Sequence, residues 1–149
     1  MKRILLLTCL LLLGAAPAAP AAEIEAGTAL ASAEFTQLQN GKESRHGTLS
    51  AGQLHNLTLW LDQHSSHWHP LSGDASSEPI RLLVTLRHEG GGVASLSVVA
   101  RADGTHYLTL TGPGRWAYRS YGGLFKSRTA RRELSTPDFA ALRELLGAE

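Results

Sequence analysis

The chain has 149 residues, with 14 Lys and Arg against 13 Asp and Glu, and a formal net charge of +1 at pH 7. This length is normal for a single domain built around one hydrophobic core. The single cysteine excludes an intrachain disulfide, so the stability of the domain must come from packing of that core.

The N-terminus has the three regions of a secretory signal peptide. Lys2 and Arg3 precede an apolar run from Ile4 to Leu13, which is followed by small residues and prolines. About ten apolar residues are too few for a transmembrane helix, which needs roughly twenty. We therefore predict a signal peptide over residues 1–21, cleaved after Ala21 or Ala22, and no transmembrane segment in the mature protein.

Two further observations concern export. Cys9 lies inside the apolar run, which argues against its use as a lipidation site although the preceding residues loosely resemble one. Arginine outnumbers lysine eleven to three, a bias associated with bacteria of high genomic GC content. The sequence thus predicts a periplasmic or secreted bacterial protein. After removal of the signal peptide, the chain has 12 Lys and Arg residues and 13 Asp and Glu residues, so its net charge becomes −1.

The first predicted elements are a hairpin and a helix. Asn40-Gly41 is a type I′ turn signal between the segments Phe35 to Gln39 and Lys42 to Gly47. Ser50 with Gln53 forms a capping box sequence, and an apolar stripe of leucines at helical spacing follows. These signals predict an amphipathic helix from Ala51 to His64.

A run of alternating sequences follows a loop over Ser65 to Pro79. The segments Ile80 to Arg87, Ala94 to Arg101 and Thr105 to Thr111 alternate apolar and polar residues, and glycine-containing turns separate them. Period-two alternation with short connections predicts an antiparallel meander, in which Ile80 shares the buried face with Leu82, Val84 and Leu86. A further strand is predicted over Arg115 to Tyr121.

The C-terminal sequence predicts a second helix. Ser135 is a cap residue and Pro137 suits the first helical turn, and Phe139, Leu142, Leu145 and Leu146 form its apolar stripe. The predicted fold for residues 22–149 is therefore a single α+β domain. It has an antiparallel four- to five-stranded β-meander, with one helix before it and one C-terminal helix packed on one face.

A histidine cluster follows the first helix. His64, His67 and His69 fall within six residues, and neutral imidazole binds Zn, Cu or Ni. The alternative interpretation is structural, because a histidine at a helix C-terminus interacts favourably with the helix dipole. Structural metal sites usually take four ligands from two separated pairs, and the sequence shows no second pair.

A basic and aromatic segment near the C-terminus is the second candidate site. Arg, Trp and Tyr are enriched at binding hot spots, and clustered cations attract anionic partners. Alternatively, its aromatic residues belong to the core and its arginines are solvated. The candidate binding residues are Arg115, Trp116, Tyr118, Arg119, Tyr121, Lys126, Arg128, Arg131 and Arg132.

The functional prediction is a small exported binding protein without enzymatic activity. Its partner would be another envelope or secreted protein, as for an inhibitor, or an anionic glycan or lipid. Export argues against nucleic acid as the partner. The alternative function is a periplasmic metal-binding protein using His64, His67 and His69. An enzyme is the third possibility, although the chain contains neither a GxSxG nor an HExxH motif.

Overall fold

The computed structural model describes residues 23–24, 30–71, 78–112, 118–119 and 129–148. These residues form nine strands and two helices. The strands are β1 (Glu23–Ile24), β2 (Leu30–Gln39), β3 (Lys42–Thr48), β4 (His69–Pro70), β5 (Ile80–His88), β6 (Val93–Ala100), β7 (His106–Thr111), β8 (Tyr118–Arg119) and β9 (Thr129–Leu134). The helices are α1 (Ala51–Gln63) and α2 (Thr136–Leu146).

The main sheet is antiparallel, open and seven-stranded, in the order β3-β2-β5-β6-β7-β9-β4. The predicted α+β class and antiparallel sheet are confirmed, but the predicted number of four to five strands is too low. The difference arises because the N-terminal hairpin joins the sheet through β2 and β5, because β9 pairs with β7, and because β4 adds a short strand beside β9.

The N-terminal hairpin turns at Asn40 and Gly41, whose φ angles are 53° and 74°. Both angles lie in the left-handed region that a type I′ turn requires, which explains why this dipeptide sits here. A second, two-stranded pairing joins β1 to β8, with Glu23 opposite Arg119 and Ile24 opposite Tyr118. The predicted strand Arg115 to Tyr121 is therefore described only at Tyr118–Arg119, outside the main sheet.

Both helices begin and end at recognisable caps. Ser50 accepts a hydrogen bond from the Gln53 backbone N–H, and Gln53 accepts one from the Ser50 N–H, so the predicted capping box is present. The Ser135 side chain caps α2 by accepting a hydrogen bond from the Asp138 N–H, and Gly147 ends the helix with a φ of 67°. Within the described parts of the chain, neither helix is long and apolar enough to cross a bilayer.

The core lies between one face of the main sheet and the two helices. The alternating strand residues Phe35, Leu82, Leu96 and Leu108 cluster there with helix residues such as Leu57. Further members of the same cluster are Trp60, Leu61, Trp68, Val84, Leu86, Val98, Leu110, Leu142 and Leu146. The prediction that Ile80 shares the buried face is wrong: its side chain is 38% exposed, because the β5–β6 register shifts between Ile80 and Leu82.

Candidate functional site

The predicted binding residues divide between the described and the remaining parts of the chain. Tyr118 and Arg119 form β8, and Arg131 and Arg132 lie in β9. The other five lie outside the described residues: Arg115, Trp116, Tyr121, Lys126 and Arg128. The site is therefore built here from β9, from the loop after α1 and from their neighbours.

Arg131 is buried on the face of the sheet opposite the helices. Only 7% of the residue is exposed. Its Nε donates to Thr109 Oγ1 at 3.1 Å on the neighbouring strand, and its Nη1 donates to Glu78 Oε1 at 2.9 Å. Burying a guanidinium is costly unless a carboxylate neutralises it. Glu78 supplies that charge, although nothing in its local sequence indicated a role.

The same Glu78 oxygen serves a second arginine. Arg101 Nη2 lies 3.7 Å from Glu78 Oε1, and both guanidinium groups make cation–π contacts with the Tyr107 ring. The Cζ atoms of Arg101 and Arg131 are 4.5 Å and 5.3 Å from the centroid of that ring. Leu108 is a core residue, so the period-two alternation of the strand places its neighbour Tyr107 on the other face of the sheet. That alternation was the signal from which the position of Tyr107 could have been predicted.

The Glu78–Arg131 pair leaves hydrogen-bonding capacity unused. Arg131 Nη2 and Glu78 Oε2 are both buried, and neither has a hydrogen-bond partner among the described residues. Nearly all buried polar atoms in folded proteins are paired. Among the described residues, the hydrogen bonds of the fold therefore leave this donor on the guanidinium unexplained.

The Glu78 carboxylate makes this region sensitive to acid. Its hydrogen bond and charge contact with Arg131 hold the Glu78 pKa below its ordinary value, against a smaller opposing effect of burial. A lowered pKa stabilises the folded state fully above the unfolded-state value, roughly 4.3 for glutamate, and that stabilisation is lost as the pH falls through the folded-state pKa. We expect Glu78→Gln to flatten the fall in melting temperature below about pH 4.3.

The measurement is a series of melting temperatures between neutral and strongly acidic pH for wild type and Glu78→Gln. Glutamine keeps an oxygen that accepts from Arg131, so the fold should survive. Glu43→Gln is the matched control, since Glu43 is an exposed β3 residue without an ion pair among the described residues. If the Glu78→Gln curve runs parallel to wild type at every pH, the contribution of this pair to acid stability is refuted.

Arg132 points to the other face of β9 and holds the loop after α1. Its Nη1 donates to the backbone carbonyls of His64 and Ser66, each at 2.8 Å. Partial burial lowers the pKa of this guanidinium, while the nearby Asp138 carboxylate opposes the shift. Carbonyls at a helix C-terminus lack partners within the helix, and Arg132 is one of the side-chain donors at the end of α1.

The His64 side chain contacts residues of both helices. Trp60 O can only accept, so its 2.7 Å contact with His64 Nδ1 means that this nitrogen carries a proton. The ring stacks on the Trp60 indole with centroids 4.0 Å apart, and its Nε2 lies 3.5 Å from Asp138 Oδ1. His64 therefore joins the end of α1 to the start of α2.

The other two histidines of the cluster are exposed. Trp68 between them is 1% exposed and donates its Nε1–H to His64 O at 2.8 Å, which anchors the loop to the core. His67 has a φ of 65°, and His69 is opposite Arg131 in the β4–β9 pairing. Among the described residues, no group of three or more His, Cys, Asp or Glu side chains is arranged to hold a metal ion.

These elements enclose a cleft of about 660 Å³ at the β4–β9 side of the sheet, which we name the edge cleft. It brings His67 and His69 together with Arg131 and Arg132, although the sequence predicted the histidines and the arginines as two separate candidate sites. Its lining residues are His67, His69, Pro70, Leu71, Tyr107, Arg131, Arg132, Glu133, Ser135 and Asp138.

No protein-family model, curated protein sequence or solved structure matches this chain. The function must therefore be argued from the edge cleft and its surroundings.

Proposed function

We propose that this protein is an exported binding protein of the bacterial envelope, without enzymatic activity, that takes a polar surface of another protein into the edge cleft. The observation that carries the proposal is the convergence of His67 and His69 with Arg131 and Arg132 in the edge cleft. Both histidines are exposed, and their imidazole rings can donate or accept hydrogen bonds with polar groups of a ligand.

The mixed charge of the edge cleft favours a protein over a polyanion as the partner. Arg131 and Arg132 line it, but so do the carboxylates of Glu133 and Asp138. A polyanion would be repelled by these acids, whereas a protein surface can present side chains of both signs. An inhibitor that binds its target through the edge cleft is one protein of this class.

Several polar groups of the edge cleft already have structural partners, which suits binding better than catalysis. Arg132 bonds two backbone carbonyls, and Asp138 accepts from the Ser135 hydroxyl at 2.6 Å. This hydrogen bond is the main reason why the Asp138 pKa is lowered, with a contribution from His64. A carboxylate held in its ionised form is a good acceptor for a ligand but a poor proton donor at neutral pH.

The backbone at His67 offers a test that separates binding from stability. Its φ of 65° lies in the left-handed region, which glycine adopts without the steric cost that other residues bear. We expect His67→Gly to leave the melting temperature unchanged or slightly raised, and yet to weaken partner capture because an exposed side chain of the edge cleft is lost.

The matched control is Asn40→Gly, at the other non-glycine residue with positive φ among those described, in the distant β2–β3 turn. Immobilised wild type and both variants are exposed to envelope extract from the host, and bound proteins are compared by mass spectrometry at low and high salt. We expect wild type and Asn40→Gly to retain the same proteins, and His67→Gly to lose them.

Equal capture by His67→Gly and wild type contradicts the edge cleft as the binding site. A native mass spectrum of the protein from its host completes the test. An added mass of a single metal ion that disappears on denaturation would contradict the protein-partner proposal and favour the metal-binding alternative.

A further inference from the structure

A second cleft lies at the end of the sheet where β2 and β6 finish and β5 and β7 begin; we name it the arginine cleft. Its volume is about 530 Å³. Among its lining residues are Gln37, Gln39, Arg81, Arg101, His106 and Arg143. From its charge and shape we infer that the arginine cleft binds a phosphorylated sugar.

The described residues that line the arginine cleft carry an excess of positive charge. Three arginines and one histidine line it, and none of the described lining residues is Asp or Glu. Arg81 and Arg143 form no ion pair with any described residue. Arg101 is compensated by Glu78, whose Oε1 lies 3.7 Å from its Nη2, and by the charge of the nearby Asp103 carboxylate.

The Arg143 guanidinium is held in place before any ligand binds. Arg143 donates its Nε–H to the carbonyl of the buried Ala148 at 3.0 Å, and its Cζ lies 5.9 Å from the Phe139 ring centroid. A side chain that is already ordered loses less conformational entropy on binding, so Arg143 is pre-organised to receive an anion.

The donor set fits phosphate better than a carboxylate. A phosphate monoester carries close to two negative charges and three acceptor oxygens, which suits several guanidinium forks at once. The side chains of Gln37 and Gln39 are neutral amides that both donate and accept, as sugar hydroxyls require. The volume of about 530 Å³ exceeds what a lone phosphate fills, so the remaining space accommodates the sugar ring.

The arginine cleft differs from the edge cleft in the class of ligand it selects. The edge cleft is lined by Glu133 and Asp138 as well as by arginines, whereas the arginine cleft has no acid among its described lining residues. The inference is therefore independent of the proposed function. A phosphosugar bound here would hold the protein on a glycan or glycolipid while the edge cleft engages a protein.

Calorimetric titration of the mature protein with three matched sugars tests the inference. We expect saturable binding of glucose 6-phosphate, at least tenfold weaker binding of glucuronate, and no measurable binding of glucose. The double variant Arg81→Gln with Arg143→Gln should weaken glucose 6-phosphate binding by tenfold or more, because two charge-assisted contacts are lost. Arg81→Gln alone, at an exposed residue whose loss cannot disturb the core, should weaken it severalfold.

The control variant is Arg45→Gln with Arg87→Gln, which removes the same charge from exposed positions on β3 and β5 outside the arginine cleft. It should keep the wild-type affinity, as should His67→Gly. Equal weakening in this control would show general charge attraction and overturn the inference. So would the absence of saturable binding, or glucuronate binding as tight as glucose 6-phosphate.

Vesicles distinguish the two sources of a sugar phosphate. Phosphatidylcholine vesicles with and without a phosphorylated glucosamine glycolipid are compared by co-sedimentation. Tenfold tighter binding to the glycolipid vesicles than to glucose 6-phosphate identifies a membrane glycolipid as the source, and comparable affinities identify a soluble sugar phosphate. Failure to bind either phosphate source overturns the inference and leaves the proposal for the edge cleft untouched.

Discussion

Replacing Trp68 by alanine is expected to destabilise the protein by about 3–5 kcal/mol, as for other fully buried large-to-small changes. Trp68 is 1% exposed and is the largest fully buried side chain among the described residues. It anchors the loop that carries His67 and His69, so its loss opens a cavity and also releases one wall of the edge cleft. Urea unfolding followed by circular dichroism gives the free energy of unfolding.

A pair of phenylalanine variants separates the packing of the indole from its hydrogen bond. Trp68 donates to His64 O, whereas the buried Nε1–H of Trp60 has no partner among the described residues. Both substitutions remove similar volume, but only Trp68→Phe removes a satisfied donor. We expect Trp68→Phe to be about 1 kcal/mol more destabilising than Trp60→Phe. If Trp60→Phe is the more harmful of the two, the assigned anchoring role of Trp68 is incorrect.

The second large loss of stability is expected for a substitution at Gly47, where the absence of a Cβ leaves space for an aromatic ring. Gly47 is opposite Phe35 in the β2–β3 pairing, and a Cβ at Gly47 would lie 2.6 Å from Phe35 Cε1. The Phe35 ring is 5% exposed and belongs to the core. Gly47→Ala must therefore displace a core ring, and overpacking of this kind costs about 1–3 kcal/mol.

Gly52 provides the matched control because the same substitution there has the opposite expected sign. Gly52 lies in the first turn of α1, and a Cβ added there would meet nothing within 4 Å. Alanine restricts the unfolded chain and favours the helix, so Gly52→Ala should stabilise by up to about 1 kcal/mol. Differential scanning calorimetry of both variants checks the pair. A melting temperature that rises in Gly47→Ala would refute the predicted clash.

Local signals in the sequence predicted the elements that depend on local physics. The capping box at Ser50, the turn at Asn40 and the alternation of β5, β6 and β7 all appear in the structure. Each depends on residues close together in the chain, whose preferred conformations do not require knowledge of distant partners. The same holds for the cap of α2 at Ser135.

The strand β9 was not predicted, because its arginines interrupt the alternation of apolar and polar residues. The segment Thr129–Leu134 places Arg131 on one face and Arg132 on the other, so no apolar alternation is visible. Both arginines are accommodated by groups far along the chain: Glu78 for Arg131, and the carbonyls of His64 and Ser66 for Arg132. Such long-range neutralisation is absent from local sequence patterns, and the edge cleft could not be predicted for the same reason.

The two outer strands of the sheet have a consequence for self-association. An open sheet exposes backbone donors and acceptors at both edges, which invites pairing with another molecule and aggregation. Here β3 begins with the exposed residues Lys42, Glu43 and Arg45, and β4 has only two residues, the second being Pro70. Charges, brevity and a residue without an N–H all discourage strand addition. Both edges of this wide, disulfide-free sheet therefore disfavour the strand pairing between molecules that leads to fibres.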